Sequence, residues 1–466
     1  MNDWFDAESH VDRALDLFER GRWAEAEAEL RKALALNPDQ PEWHYNLGLT
    51  LEAAGRDAEA YLSFQRATEL LPDEVPPAVS AGLAAGRLQR YEDASRWFER
   101  VLTLDPRNEL AYANSIELLT RLGRHDEAET TFYLSQQLIA ESGPCLAAVA
   151  ESLIERCEFA RAEWCLKEAL RISPTLPRVR AQLGRVFAAT GRSHRALHMY
   201  LRELRDDPGN IDALLDYGDL LFEIGRMPEA AEKFRRVLEL QPANPEAHMR
   251  LGEVALRSAR LEQAHLEFEL VLKLDPGYPN ARAGLAESLI QRNRFSEART
   301  VLRAELDRLR LASETRCEQP DENRARASDR ITDDDGTDLA RLGRALLDTG
   351  VVNEAVRVLT QATKTSAAED IDAWQRLAVA HLRSGNTSAG CAASRRVLRL
   401  DPECIEAMHN LALAALHENR LAFAHGWLRR GLAVDRHDEG LRRLRIRIWA
   451  RSLKLLIRGW LPRLER

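Results

Sequence analysis

The sequence predicts an all-α solenoid, a stack of antiparallel helix pairs that extends in one dimension and has no single globular core. Three observations lead there. Prolines return in steps of 34 residues, at Pro38, Pro72, Pro106, Pro174, Pro208, Pro242 and Pro276, with Ala140 standing at the one skipped step. Alanines keep the same step without a slip, at Ala26, Ala60, Ala94, Ala128, Ala162, Ala196, Ala230, Ala264 and Ala298. Ala, Leu, Arg and Glu dominate the 466 residues, aromatics are 6% and charged residues 30%, a composition suited to amphipathic helices and too apolar for disorder.

Each recurring residue type has a physical reason. A small position gives Gly48, Gly82, Gly184, Gly218 and Gly252, and a large one gives Phe64, Phe98, Phe132, Phe234 and Phe268, with Tyr200 as a variant. Glycine and the in-step alanine let two helix backbones approach where they cross, and the aromatic fills the space beside the crossing. Gly55, Gly123, Gly191 and Gly225 suit the turn between the helices, because glycine tolerates the positive φ that ends a helix. The proline closes the second helix, since it cannot donate within a helix interior.

On these residues the chain resembles the tetratricopeptide-repeat family, whose pattern places a small residue, an alanine, an aromatic and a proline over 34 residues. Residues 41–74 match nearly throughout, with Leu47, Gly48, Ala60, Phe64, Ala67 and Pro72. The resemblance implies a right-handed superhelical solenoid of about twelve units ending in an amphipathic helix. Nine contiguous units are expected over 7–312 and an acidic polar loop over 313–336. Three divergent units follow over 337–437, carrying Gly343, Ala355, Leu359, Trp374, Gly385, Met408 and Ala424, but with Gly390 where alanine is expected.

Residues 438–466 read as a basic amphipathic capping helix. Leu441, Leu444, Ile448, Trp449, Leu453, Leu456, Trp460 and Leu464 form one broad apolar stripe, expected to lie against Leu411, Leu413 and Leu428. Arginines fill most of the rest, so the same helix also suits a membrane surface or an acidic partner. Both readings stand at this stage.

The net charge of −8 argues against bulk attraction to nucleic acid. The six cysteines form no CxxC, as expected of a reduced cytosolic chain without a zinc site. Neither a secretory leader nor an apolar run of spanning length is apparent, and the cytoplasm is the expected compartment. No phosphate-binding loop, nucleophile elbow or metalloprotease motif occurs, and His194 and His198 read as solvated side chains. Neither catalysis nor a cofactor is expected.

The resemblance places the binding surface on the first helix of each unit. Those positions hold Tyr45, Asn46, Asn114, Glu117, Arg178 and Arg185, then an acidic run of Asp212, Asp216, Asp219 and Glu223 with Phe222 beside it, then Arg250 and Arg257. The acidic run reads either as a solvated face screened by Arg185 and Arg250 or as a dock for a basic segment. The Lys and Asn pair of chaperone adaptors is missing: Val11, Leu15, Tyr45 and Leu49 occupy its places. The expected function is therefore a scaffold that holds an extended peptide or a helix of another protein. Alanine and arginine richness points to a GC-rich bacterial genome, and hence to assembly or regulation of a bacterial multiprotein complex. The alternative is a membrane-peripheral assembly factor tethered by the terminal helix.

Overall fold

The computed structural model describes residues 2–317, 333–364 and 369–464. Among them are twenty-five helices and no strand. Contacts divide the chain into two units, Met1–Leu220 and Leu221–Arg466.

The first unit stacks six helix pairs: α1 (Asn2–Glu19) with α2 (Trp23–Leu36), α3 (Pro41–Ala53) with α4 (Asp57–Leu70), α5 (Val75–Arg87) with α6 (Tyr91–Leu104), α7 (Glu109–Arg121) with α8 (His125–Leu138), α9 (Gly143–Glu155) with α10 (Phe159–Ile172), and α11 (Val179–Ala189) with α12 (Ser193–Asp206). The unit boundary falls inside α13 (Ile211–Glu223). The second unit continues with α14 (Met227–Leu240), α15 (Pro245–Arg257), α16 (Leu261–Leu274), α17 (Ala281–Gln291) and α18 (Phe295–Cys317). Beyond it lie α19 (Asp333–Asp348), α20 (Val352–Ala362), α21 (Ile371–Arg383), α22 (Thr387–Leu400), α23 (Ile405–His417), α24 (Leu421–Val434) and α25 (Glu439–Leu464). α18 and α19 enter the segment expected to be a loop, 313–336, from its two ends, so those ends are helical. Residues 318–332 between them lie outside the described residues.

The alanine register is a row of helix crossings. All nine in-step alanines, Ala26 through Ala298, are buried with no exposed surface. The aromatics pack onto the glycines as the sequence requires. A Cβ on Gly82 would stand 2.9 Å from the Phe98 ring, and one on Gly184 would stand 2.7 Å from the Tyr200 ring. Phe268 is held from two sides: a Cβ on either Gly252 or Gly284 would come within 2.7 Å of it. No real side chain fits at those separations unless the ring moves.

All twelve turns within a helix pair place one residue in the left-handed region. Glycine does so at Gly55 and six other turns, with φ between 71° and 84°. The other five turns use Gln89, Cys157, Ala259, Asn293 and Asn419, with φ from 56° to 60°. Glycine is therefore the easier choice there but is not required, and packing of the flanking helices carries the local strain.

Two units start their first helix late. Arg178 and Asn280 are left-handed N-caps, and α11 and α17 have 11 residues, where the other first helices of the repeats from α3 to α15 have 13. A buried glutamate on the following helix accompanies each late start. Glu203, 3% exposed, accepts hydrogen bonds from the Arg178 backbone N–H at 2.9 Å and from Asn210 Nδ2 at 3.3 Å. Its counterpart Glu305 accepts from Arg282 at 2.9 Å and from Arg308. Burial alone would raise the Glu305 pKa, but the two guanidinium groups overcome it and hold the carboxyl below its ordinary value.

The terminal helix departs from the expected arrangement. Leu441, Leu444 and Ile448 are buried against Ala412, Ala415, Leu416 and Leu428. Trp449, expected on that same stripe, is 63% exposed, and Ile446 and Leu453 also face outward. α25 thus carries two apolar stripes where the sequence suggested one. The side chains expected beyond Leu453, Trp460 included, lie outside the described residues.

Two stability tests follow from this packing. Ala259→Gly should raise the unfolding midpoint, because relief of a left-handed strain of ~1–2 kcal/mol exceeds the ~0.4–1 kcal/mol of chain entropy that glycine adds to the unfolded state. A lowered midpoint would mean that the turn is not strained. Leu444→Ala should destabilise the C-terminal repeats by about 2–4 kcal/mol, while Trp449→Ala stays within ~0.5 kcal/mol of the parent. Thermal melts of the intact chain distinguish these variants, and equal losses from both would place Trp449 in the core.

Candidate functional site

In the first unit the predicted surface residues come together unevenly. Arg185 on α11 reaches Glu151 on α9 at 2.6 Å, and Gln182 Nε2 donates to the same carboxylate at 3.0 Å. Burial opposes the charge on Arg185, but Glu151 and Asp216 overcome it and hold the guanidinium more firmly protonated than usual. Arg178 lies 3.7 Å from Asp212. These first helices of successive repeats therefore share a polar ladder in which cations alternate with carboxylates. Burial lifts the Glu155 carboxyl above its ordinary value, although His125 stands 3.6 Å away.

Other predicted residues turn to local work. The Tyr45 ring packs at 5.7 Å against Phe64 and belongs to the core margin. Asn114 Nδ2 donates to the Leu110 carbonyl at 2.7 Å, and Glu117 pairs with Arg121 on its own helix at 2.7 Å. Asn46 is half-buried, and its carbonyl accepts from the Thr50 hydroxyl.

In the second unit Arg257 lies over the Phe222 ring, 4.0 Å from its centroid, so two predicted residues form a cation–π pair. Glu223 is exposed. Arg250 pairs with Glu253 at 3.2 Å. Glu253 also accepts from Arg341 at 2.9 Å, and Arg341 reaches on to Glu287 at 3.4 Å. One arginine on α19 thereby ties together the first helices α15 and α17. Beside it lies a cavity of about 370 Å³ between α17, α19 and α21, lined among others by Glu287, Arg341, Arg344, Asp348, Asp370 and Asp372.

None of the residues lining that cavity was among the sequence candidates. The groove positions were read only as far as the eighth repeat, and the irregular stretch before α19 breaks the 34-residue count. The signal was available: Gly343 and Leu359 restore the register, and Arg341 and Arg344 then fall on first-helix positions.

The repeat pattern matches a known family model. The description "Tetratricopeptide repeat" covers residues 11–75, 79–140, 182–245, 231–279 and 376–438, and a second model of that description covers 260–308. The chain belongs to the tetratricopeptide-repeat family. As such it is a protein-interaction scaffold in general type, on a fold that typically performs no catalysis. No curated protein matches it significantly in sequence.

Among solved structures this tetratricopeptide-repeat chain is similar to the APC/C hetero-tetramer Cut9–Hcn1, at 15% identity over 93% of this chain and 95% of that one, with a TM-score of 0.46. It is also similar to yeast Tom70, at 16% identity over 97% and 96%, TM-score 0.40. A tetratricopeptide repeat protein from Parabacteroides merdae aligns with 61% of this chain and 99% of its own, at 15% identity and TM-score 0.40. No helix among the described residues is long and apolar enough to cross a membrane, and no described group of three or more His, Cys, Asp or Glu residues could hold a metal ion.

The Arg341 bridge is open to measurement. Arg341→Ala should cost about 1–3 kcal/mol, because it removes an ionic partner from a mostly buried Glu253. Adding Glu253→Gln should recover part of that loss. A double-mutant cycle with no coupling energy would show that the bridge does not hold α15 and α19 together.

Proposed function

We propose that the chain holds an extended segment of a partner protein along its first helices, and that the cavity between α17, α19 and α21 receives a lysine or arginine side chain of that segment. Four carboxylates around one cavity carry this reading: Glu287, Asp348, Asp370 and Asp372. Arg341 already pairs with Glu253 and Glu287, Asp372 pairs with Arg376 on its own helix at 3.2 Å, and Arg344 is exposed, so the lining residues by themselves are two charges negative. A long cationic side chain can bury its methylenes against Ala283, Ile290 and Ala345 while its head meets the carboxylates. In the first unit, the acidic run of α13 at Asp212, Asp216 and Asp219 favours the same partner chemistry, although Arg178 and Arg185 offset part of it. A cytoplasmic assembly role fits a surface that gathers segments by charge and shape.

Selection of displayed peptides on the intact chain tests the reading. Enriched segments should carry Lys or Arg beside apolar residues. The double variant Asp348→Asn, Asp372→Asn should weaken a selected peptide about tenfold, or ~1.4 kcal/mol. Enrichment of acidic segments, or an affinity unchanged by the double variant, would overturn the proposal.

A further inference from the structure

The outward face of α25 is not used by the fold. At 100° per residue, Ile446, Trp449 and Leu453 fall within about 60° of one another around the helix axis, opposite Leu441, Leu444 and Ile448. They are 65%, 63% and 41% exposed. Arg445 borders this stripe on one edge and Arg443 on the other. Arg443 pairs with Glu439 at 2.8 Å, whereas Arg445 makes no hydrogen bond or ion pair among the described residues. Arg442 lies in the stripe but folds back to the Arg436 carbonyl at 3.1 Å. Between Glu439 and Leu453 the helix carries five arginines and one glutamate.

We infer that this face docks on the surface of an anionic phospholipid bilayer. The stripe has no walls: it is the convex side of a single helix, whereas a peptide site needs a groove. Its centre holds an indole and two branched aliphatics, side chains that settle at the boundary between headgroups and acyl chains, with arginines along the edges to meet lipid phosphates. A second copy of this chain is a poor occupant. It would set Arg443 and Arg445 against identical charges, which repel whichever way the helices run. Anionic headgroups replace that repulsion with attraction. The helix need not span anything, since it would lie in the plane of the surface while its inner stripe stays in the last repeat.

Vesicle sedimentation with the full chain decides the matter. The chain should pellet with phosphatidylcholine vesicles that contain phosphatidylglycerol, stay soluble with phosphatidylcholine alone, and be released by high salt. Replacing Arg443 and Arg445 with glutamine should weaken binding about twentyfold or more, at about fivefold per arginine. Ile446→Asn with Trp449→Asn should weaken it at least as much. Both variants should melt like the parent, because neither touches the buried stripe. Three results would sink the inference: no binding to phosphatidylglycerol vesicles; binding that survives both variants; or a parent dimer in gel filtration that the Ile446, Trp449 variant converts to monomer.

Discussion

Everything in this molecule depends on how closely two helix backbones can approach. The approach is set by a glycine or alanine on one helix and an in-step alanine on the other, with a ring lodged beside them. Tyr200, Phe98 and Phe268 are almost fully buried, yet each sits where one added methyl group would collide with it. Among the described residues the interior is a series of such crossings. Each crossing mainly serves its neighbours, so stability accumulates repeat by repeat.

The turns show what that packing can sustain. Five of the twelve intra-pair turns hold a non-glycine residue in the left-handed region, among them an alanine, which has no side-chain hydrogen bond to offer in return. The late helix starts at Arg178 and Asn280 are a further departure, and in both cases a glutamate that would be costly to bury elsewhere is placed beside them. Glu203 satisfies the backbone N–H that the late start exposes. Glu305 is held by two arginines. The irregularities are local, and each has its own compensation.

Helix pairs, turns and crossings were legible because they obey a fixed 34-residue step. Contacts that respect the step were nearly legible too: Glu151 and Arg185 are 34 residues apart and meet. Contacts that cross the irregular stretch were not. Arg341 and Glu253 are 88 residues apart, a separation that no register predicts. The terminal helix failed for another reason. Leu441, Leu444 and Ile448 share their three-and-four spacing with Ile446, Trp449 and Leu453, so Trp449 and Leu453 read as one broad stripe with the inner set, and Ile446 falls outside it. Only the presence of Leu428 and Leu416 on one side decides which set is covered. Among the candidate residues, Tyr45 belongs largely to packing because its position borders a ring, which a rule about helix faces cannot see.

The inner stripe of α25 has one more consequence. Isolated amphipathic segments are commonly coil in water, and they spend part of their interaction energy on becoming helical when they meet a surface. Here the last repeat has already ordered the helix, at least through Ile448. Whatever meets its outer face encounters a backbone that is already helical, with the positions of Ile446 and Trp449 around the axis already set. Recognition there carries little ordering entropy, and it responds to the geometry of the surface it meets rather than to that surface's power to induce structure.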